Sequence, residues 1–96
     1  MFKLTSQAQL FLQEVINREK QTGDEELFVR LSMGIGWGEP KLNLSLEERK
    51  IHGDLNFLFD GLTIIIHERD FFYIDHTQLD YVRDAIGNGR FELRKI

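Results

Sequence analysis

Apolar residues recur at helical spacing near the start of the chain. On a helix they would form one stripe, which comprises Ala8, Phe11, Leu12, Val15 and Ile16. Ser6 and Gln9 have the spacing of a capping box, and Thr5 is an alternative cap. Gly23 is the expected stop, because glycine readily adopts the left-handed conformation that ends many helices. The pattern therefore predicts an N-terminal helix that packs its apolar stripe on a sheet.

Two stretches that follow alternate apolar and polar residues as strands do. "LFVRLSM" at 27–33 and "KLNLSLEE" at 41–48 place apolar side chains at every second position. Such alternation is typical of strands with one face buried, and it is cleanest in the second stretch. "RKIHGD" at 49–54 then predicts a turn.

The next segment predicts a hairpin and a further short strand. "LNFLF" at 55–59 and the β-branched run "LTIIIH" at 62–67 are strand-like, and "DG" at 60–61 is a strong turn signal between them. After "ERD", the apolar run "FFYI" at 71–74 predicts one more short strand.

The last part of the chain predicts a second helix and a closing strand. "DHTQLDYVRDAIGNG" at 75–89 has capping-box spacing between Asp75 and Gln78, and Gly87 or Gly89 would end the helix. Its apolar stripe comprises Leu79, Val82 and Ile86. "RFELRKI" closes the chain as a strand. We expect one α+β domain over 1–96, compact and β-rich, with an N-terminal helix and a second helix near the C-terminus.

Composition narrows the classes of function. Twelve basic and sixteen acidic residues give a net charge of -4, which argues against binding nucleic acid through its phosphate backbone. No stretch approaches the roughly 20 apolar residues that span a bilayer, and the first residues make a poor signal peptide. We therefore expect a cytoplasmic protein with no membrane partner. The chain has no cysteine, which excludes disulfides, thiolate catalysis and cysteine-ligated metal sites.

Histidines are the first candidates for metal or acid–base chemistry. "HERD" at 67–70 resembles a zinc-protease motif only superficially, because Phe71 stands where the second histidine is needed. His67, His76 and Asp75 are the candidate metal ligands, although a strand-end position for His67 and a helix-capping role for Asp75 explain them more simply. Since no catalytic constellation is recognisable, we expect no catalytic residues, no cofactor and no enzymatic activity.

A glycine-rich stretch, "MGIGWGEPKL" at 33–42, follows the first predicted strand. It lacks the Lys-Ser/Thr ending of a phosphate-binding loop and leads into a strand rather than a helix, which favours a simple connection. Trp37 leaves two alternatives open. Either the indole packs on the core, or it anchors a protein partner together with Ile35 and Pro40.

The run "FFYIDHTQLDYVRDAIGNGRFEL" at 71–93 carries a family resemblance. Its residues 74–82 resemble the "LDGTQLDFV"-like segment of the HesB/IscA-like A-type family of iron–sulfur cluster biogenesis, and residues 89–93 loosely resemble the strand that follows there. The opening helix, the strand around 29–31, the glycine loop and the strand entered through Gly61 lie in the family's order. The resemblance covers nearly the whole chain.

This resemblance implies a fold and a class of partners, and the chain departs from the family at the cysteine positions. It implies a β-rich α+β fold, homo-oligomers, and protein partners among iron–sulfur assembly components. The family carries one cysteine in the glycine loop, at about Trp37 or Ile35 here, and a Cys-Gly-Cys that has no counterpart before Ile96. Cluster iron needs thiolate or imidazole ligands, so no ligand carries over. We expect a cysteine-lacking member with a non-enzymatic accessory or interaction role. The alternative is a metal- or small-molecule-binding protein that uses His and carboxylate side chains.

Overall fold

The structure is a computed structural model that describes residues 1–20, 23, 26–34 and 41–96. Within these residues the chain forms two helices and seven strands. In chain order they are β1 (Phe2–Leu4), α1 (Ser6–Glu19), β2 (Phe28–Gly34), β3 (Lys41–Glu47), β4 (Asp54–Phe59), β5 (Leu62–His67), α2 (Glu68–Ile74), β6 (Thr77–Arg83) and β7 (Gly89–Lys95).

Helix α1 forms where it is predicted and ends earlier than predicted. Thr5 is its N-cap, because the Thr5 hydroxyl oxygen accepts a hydrogen bond from the backbone N–H of Ala8 at 3.2 Å. The helix ends at Glu19 rather than at Gly23, since Lys20 already has an extended backbone. The residues of the stripe that are buried are Ala8, Leu12 and Ile16.

The strands form two sheets, which confirms the α+β class. A four-stranded sheet has the order β3-β2-β5-β4, with β2 and β5 parallel and the other pairs antiparallel. A three-stranded sheet has the order β1-β6-β7, with β1 parallel to β6. Strand β1 has no counterpart in the predicted elements. It joins the start of the chain to its last third.

The predicted helix over 75–89 is wrong. Strand β6 occupies its first half, between β1 and β7. Buried Thr77 and Leu79 and half-buried Tyr81 alternate along this strand, and pairing on both sides outweighs the local helical pattern. The second half is the turn into β7. There the Asp84 carboxylate accepts the backbone N–H of Ile86.

The second helix lies one element earlier, so the strand predicted over 71–74 is also wrong. Phe71 and Ile74 pack on the core, whereas Phe72 between them is 84% exposed. Three-residue spacing between core contacts is helical spacing. In the part of the chain that the structure describes, neither helix is long and apolar enough to cross a membrane.

One hydrophobic cluster joins both helices and both sheets. Its buried members are Phe2, Ala8, Leu12, Ile16, Val29, Leu31, Leu62, Ile64, Ile66, Ile74 and Leu79. The hairpin predicted at "DG" is confirmed. Asp60 (φ 49°) and Gly61 (φ 87°) turn the chain from β4 into β5, which pair antiparallel.

Residues 48–53 connect the two edge strands of the four-stranded sheet across one of its faces. Strand β3 ends opposite Phe28, at the start of β2, and β4 begins opposite His67, at the end of β5. The connection therefore runs diagonally over the face that carries Phe28, Arg30 and Ile65. The Lys50 ammonium lies 4.9 Å from the centre of the Phe28 ring, and Ile65 is fully buried.

Candidate functional site

Strands β2 and β3 flank the glycine-rich stretch and pair with each other. The antiparallel register ends at the pair Gly34–Lys41. A Cβ atom on Gly34 would lie 2.8 Å from the side-chain nitrogen of Asn43, so glycine suits this close approach. The predicted partner contacts Ile35, Trp37 and Pro40 lie between these ends, outside the residues that the structure describes.

His67 caps the second helix. Its Nδ1 accepts a hydrogen bond from the backbone N–H of Arg69 at 3.1 Å, and its Nε2 lies 3.2 Å from the carbonyl oxygen of His52. Both contacts fit a neutral ring with the proton on Nε2. Both ring nitrogens of His67 have protein partners, so the ring links the start of α2 to the 48–53 connection.

Asp75 and His76 lie together at the end of α2. The Asp75 carboxylate pairs with the amino group of Met1 and lies 3.5 Å from the His76 ring. The hydrogen bond from the Met1 amino group is the main cause that lowers the pKa of Asp75. Asp75 is the C-cap of α2. The sequence-based prediction that Asp75 caps a following helix is therefore wrong. The His76 ring is 81% exposed, and its backbone adopts φ 61°.

The structure gives the three candidate metal ligands different surroundings. Asp75 and His76 are in contact, whereas the contacts of His67 are with His52 and Arg69. Among the described residues, no three or more His, Asp and Glu side chains form a group that could hold a metal ion. The alternative of a His and carboxylate metal site therefore gains no support from these positions.

A buried ion pair lies beneath the 48–53 connection. Two nitrogens of the Arg30 guanidinium donate to the two Asp54 carboxylate oxygens at 2.7 and 2.8 Å, and the backbone N–H of Ile51 donates to Asp54 at 2.7 Å. The side chains are 14% and 1% exposed. The hydrogen bond between them is the largest cause of both shifts: it lowers the pKa of Asp54 and raises that of Arg30.

The spacing of residues along the chain does not indicate this pair, because its partners are 24 residues apart. One signal does exist: Arg30 interrupts a strand whose neighbours Val29 and Leu31 are apolar. A charge in the middle of such a strand needs a partner on the same face of the sheet. Asp54 supplies it from the far edge strand.

Beside the pair, the connection and α2 border a cavity of about 740 Å³. Its walls include Arg30, Arg49, Arg69, Glu48 and Asp70. Arginine and carboxylate side chains face the same space, so the cavity does not select a ligand by the sign of its charge. The cavity lies at the junction of the four-stranded sheet, the 48–53 connection and α2.

The arrangement of two mixed sheets and two helices belongs to a known class of structure. No protein-family model matches the sequence, and no curated protein matches it. Solved structures do match, over 98–99% of the chain. Two of the matching structures are of proteins described in connection with iron–sulfur clusters. This match confirms the fold that the sequence resemblance implied.

Escherichia coli SufA, described as involved in biosynthesis of iron–sulfur clusters, matches with a TM-score of 0.81 at 23% identity, covering 98% of this chain and 84% of SufA. IscA with the [2Fe-2S] cluster matches with a TM-score of 0.74 at 22% identity, covering 99% and 82%. A solution structure of an Aquifex aeolicus protein matches with a TM-score of 0.76 at 25% identity, covering 99% and 91%.

Proposed function

We propose that this protein is a non-enzymatic accessory protein of iron–sulfur cluster biogenesis, which contacts cluster-handling proteins in the cytoplasm without carrying a cluster itself. The observation that carries the proposal is a combination. The chain shares the fold of SufA and IscA over 98–99% of its length, yet its 96 residues include no cysteine.

The available side chains support the proposal that this protein carries no cluster itself. Proteins hold iron–sulfur clusters mainly through cysteine thiolates, and histidine replaces some of them in one class of cluster. Here both ring nitrogens of His67 have protein partners, and the described residues offer no group of three or more ligands. A polypeptide of this composition has no ready way to hold a cluster.

For the contact itself we propose the loop that contains Ile35, Trp37 and Pro40. This part of the proposal rests on the sequence, in which a tryptophan and two further apolar residues lie among three glycines and two charged residues. Tryptophan is enriched among the residues that dominate the energy of protein interfaces. The paired residues of β2 and β3 reach Gly34 and Lys41, the described residues on either side of this stretch.

Binding to known cluster proteins tests the proposal. Purified SufA and IscA, each without and with a cluster, are titrated with this chain by calorimetry. We expect saturable binding to at least one of the four forms, and no binding to a control protein of similar charge. Absence of binding to all four would overturn the accessory role.

A single substitution tests the proposed loop contact separately from the proposed accessory role. Trp37→Ala should weaken binding by about thirtyfold, which corresponds to the loss of a residue that contributes about 2 kcal/mol to an interface. Leu58→Ala, which truncates a side chain that is 72% exposed on β4, is the matched control and should bind like the wild type. Unchanged affinity of the Trp37 variant would contradict the loop contact and leave the accessory role standing.

A further inference from the structure

Asp70 is a buried carboxylate on the first turn of α2. Only 9% of the residue is exposed, and it lies on the wall of the cavity of about 740 Å³ beside the 48–53 connection. Among the residues that the structure describes, no ion pair or hydrogen bond involves its side chain. In that part of the chain, every completely enclosed side-chain oxygen or nitrogen has a partner, so the oxygens of Asp70 reach the space of the cavity. A buried carboxylate that lacks a protein partner is rare, because the loss of hydration is not compensated.

The guanidinium of Arg30 lies on the same cavity but is already paired. It donates to the two oxygens of Asp54 at 2.7 and 2.8 Å and lies 3.4 Å from Glu47. These two carboxylates neutralise its charge, so Arg30 leaves Asp70 without a partner and repels a second cation only weakly. The vacant partner position of Asp70 therefore suits a positively charged group from outside the chain.

The opposite charge is available on the more exposed walls of the cavity. Arg49 and Arg69 are exposed there, and among the described residues neither guanidinium has an ion pair. The lining as a whole includes three arginines and three acidic residues, so its formal charge is balanced. Leu46 and Ile51 add apolar surface between the charged groups. Such a lining favours a ligand that carries both signs of charge on an apolar chain.

We propose that this cavity binds a small zwitterionic ligand, with a guanidinium group on Asp70 and a carboxylate held by Arg49 and Arg69. A guanidinium matches a carboxylate because it can donate two parallel hydrogen bonds to its two oxygens. Free arginine and the C-terminal arginine of a short peptide both carry these groups, and their aliphatic chain can pack on Leu46 and Ile51. The cavity volume, about 740 Å³, lies in the range of small-molecule sites, roughly 300–1,000 Å³. The site does not depend on the proposed role in cluster biogenesis.

A series of matched ligands tests the proposal on the unmodified chain. The ¹⁵N-labelled protein is titrated at constant ionic strength with L-arginine, the peptide Gly-Gly-Arg, citrulline and agmatine, and backbone amide signals are followed by NMR. Citrulline replaces the guanidinium by a neutral group of the same shape, and agmatine lacks the carboxylate. We expect saturable shifts at residues 48–51 and 69–70, with each analogue binding about tenfold more weakly than L-arginine.

The two arginine ligands distinguish a free amino acid from a peptide terminus, according to which of them binds more tightly. Preferential binding of either one supports the site. If neither gives saturable shifts at these residues, or if citrulline or agmatine binds as tightly as L-arginine, the proposal is overturned.

Substitutions assign each ligand group to its protein partner. Asp70→Asn should abolish the preference for arginine over citrulline and keep the preference over agmatine. The double variant Arg49→Gln/Arg69→Gln should show the reverse, and because both positions are exposed it also serves if Asp70→Asn does not fold. Glu68→Gln, at an exposed position on the same turn of α2 but outside the cavity lining, is the matched control and should bind like the wild type. Circular dichroism checks that each variant is folded. A folded variant that keeps both preferences would contradict the assignment.

Discussion

The ion pair between Arg30 and Asp54 is expected to be the most important polar contact for stability. Asp54→Asn removes the charge while it keeps the size of the side chain. The Asp54 side chain is 1% exposed and has three hydrogen bonds, two from Arg30 at 2.7 and 2.8 Å and one from the backbone of Ile51 at 2.7 Å. The substitution leaves the Arg30 guanidinium, itself only 14% exposed, without its main partner.

The magnitude follows from burial. Removal of one partner from a buried ion pair costs about 3–5 kcal/mol, because the remaining charge stays buried. Arg30 keeps a weaker contact with Glu47 at 3.4 Å, so the lower end of that range applies here, about 3 kcal/mol. In a domain of this size each kcal/mol lowers the melting temperature by roughly 4–8 °C, which predicts a decrease of roughly 12–24 °C.

Urea unfolding followed by circular dichroism measures this loss, and Glu92→Gln is the matched control. Glu92 also pairs with arginines, Arg90 and Arg94, but on the exposed face of β7. Solvent screens such a pair, so the control should leave the unfolding midpoint nearly unchanged. A loss below about 1 kcal/mol for Asp54→Asn, or equal effects of the two variants, would refute the reasoning from burial.

Three further predictions follow from named contacts. Because the pKa of Asp54 is lowered in the folded protein from 3.8, the stability that its ion pair contributes is complete well above that pH and is lost as the pH falls below it; the free energy of unfolding should therefore fall more steeply below about pH 4 in the wild type than in Asp54→Asn, and parallel curves would contradict this. Thr5→Ala removes both the cap of α1 and the hydrogen bond that the Thr5 hydroxyl donates to Asp80 at 2.7 Å, so it should cost about 1–2 kcal/mol in urea unfolding, with Thr5→Ser restoring most of it; a Ser variant as unstable as the Ala variant would exclude the hydroxyl as the cause. Gly53→Ala should destabilise more than Gly61→Ala: both glycines have positive φ, 93° and 87°, but a Cβ on Gly53 would lie 2.6 Å from the His67 ring whereas Gly61 has open space, so equal melting temperatures would count against the packing of His67.

The sequence pattern correctly predicted those elements whose apolar residues fit either helical spacing or strand alternation, but not both. The alternating leucines of β3 and the β-branched run of β5 are such cases, and so is the stripe of α1. The helix and strand assignments fail over 68–89, where the two periods overlap. Leu79 and Val82 fit a helical stripe, yet Thr77, Leu79 and Tyr81 fit a strand equally well. The contact that decides between them, β6 with β1, joins residues 75 positions apart in the chain.

The chemistry of the molecule was less accessible from the sequence than its fold. The absence of cysteine is a fact of composition, and it correctly restricts the kinds of site that can exist. The roles of His67 and Asp54 depend on where residues 48–53 cross the sheet, since the crossing supplies the carbonyl of His52 and the N–H of Ile51. No local spacing encodes that crossing.

Anaerobic reconstitution with iron and sulfide tests the central claim most directly. SufA is treated in parallel as the positive control, and iron and sulfide are counted per polypeptide after desalting, together with the visible absorption of a cluster. The cysteine-free chain is predicted to retain neither iron nor sulfide in stoichiometric amount. A stoichiometric, absorbing cluster on the purified chain would contradict the account, because it would require ligands that no described group of side chains provides.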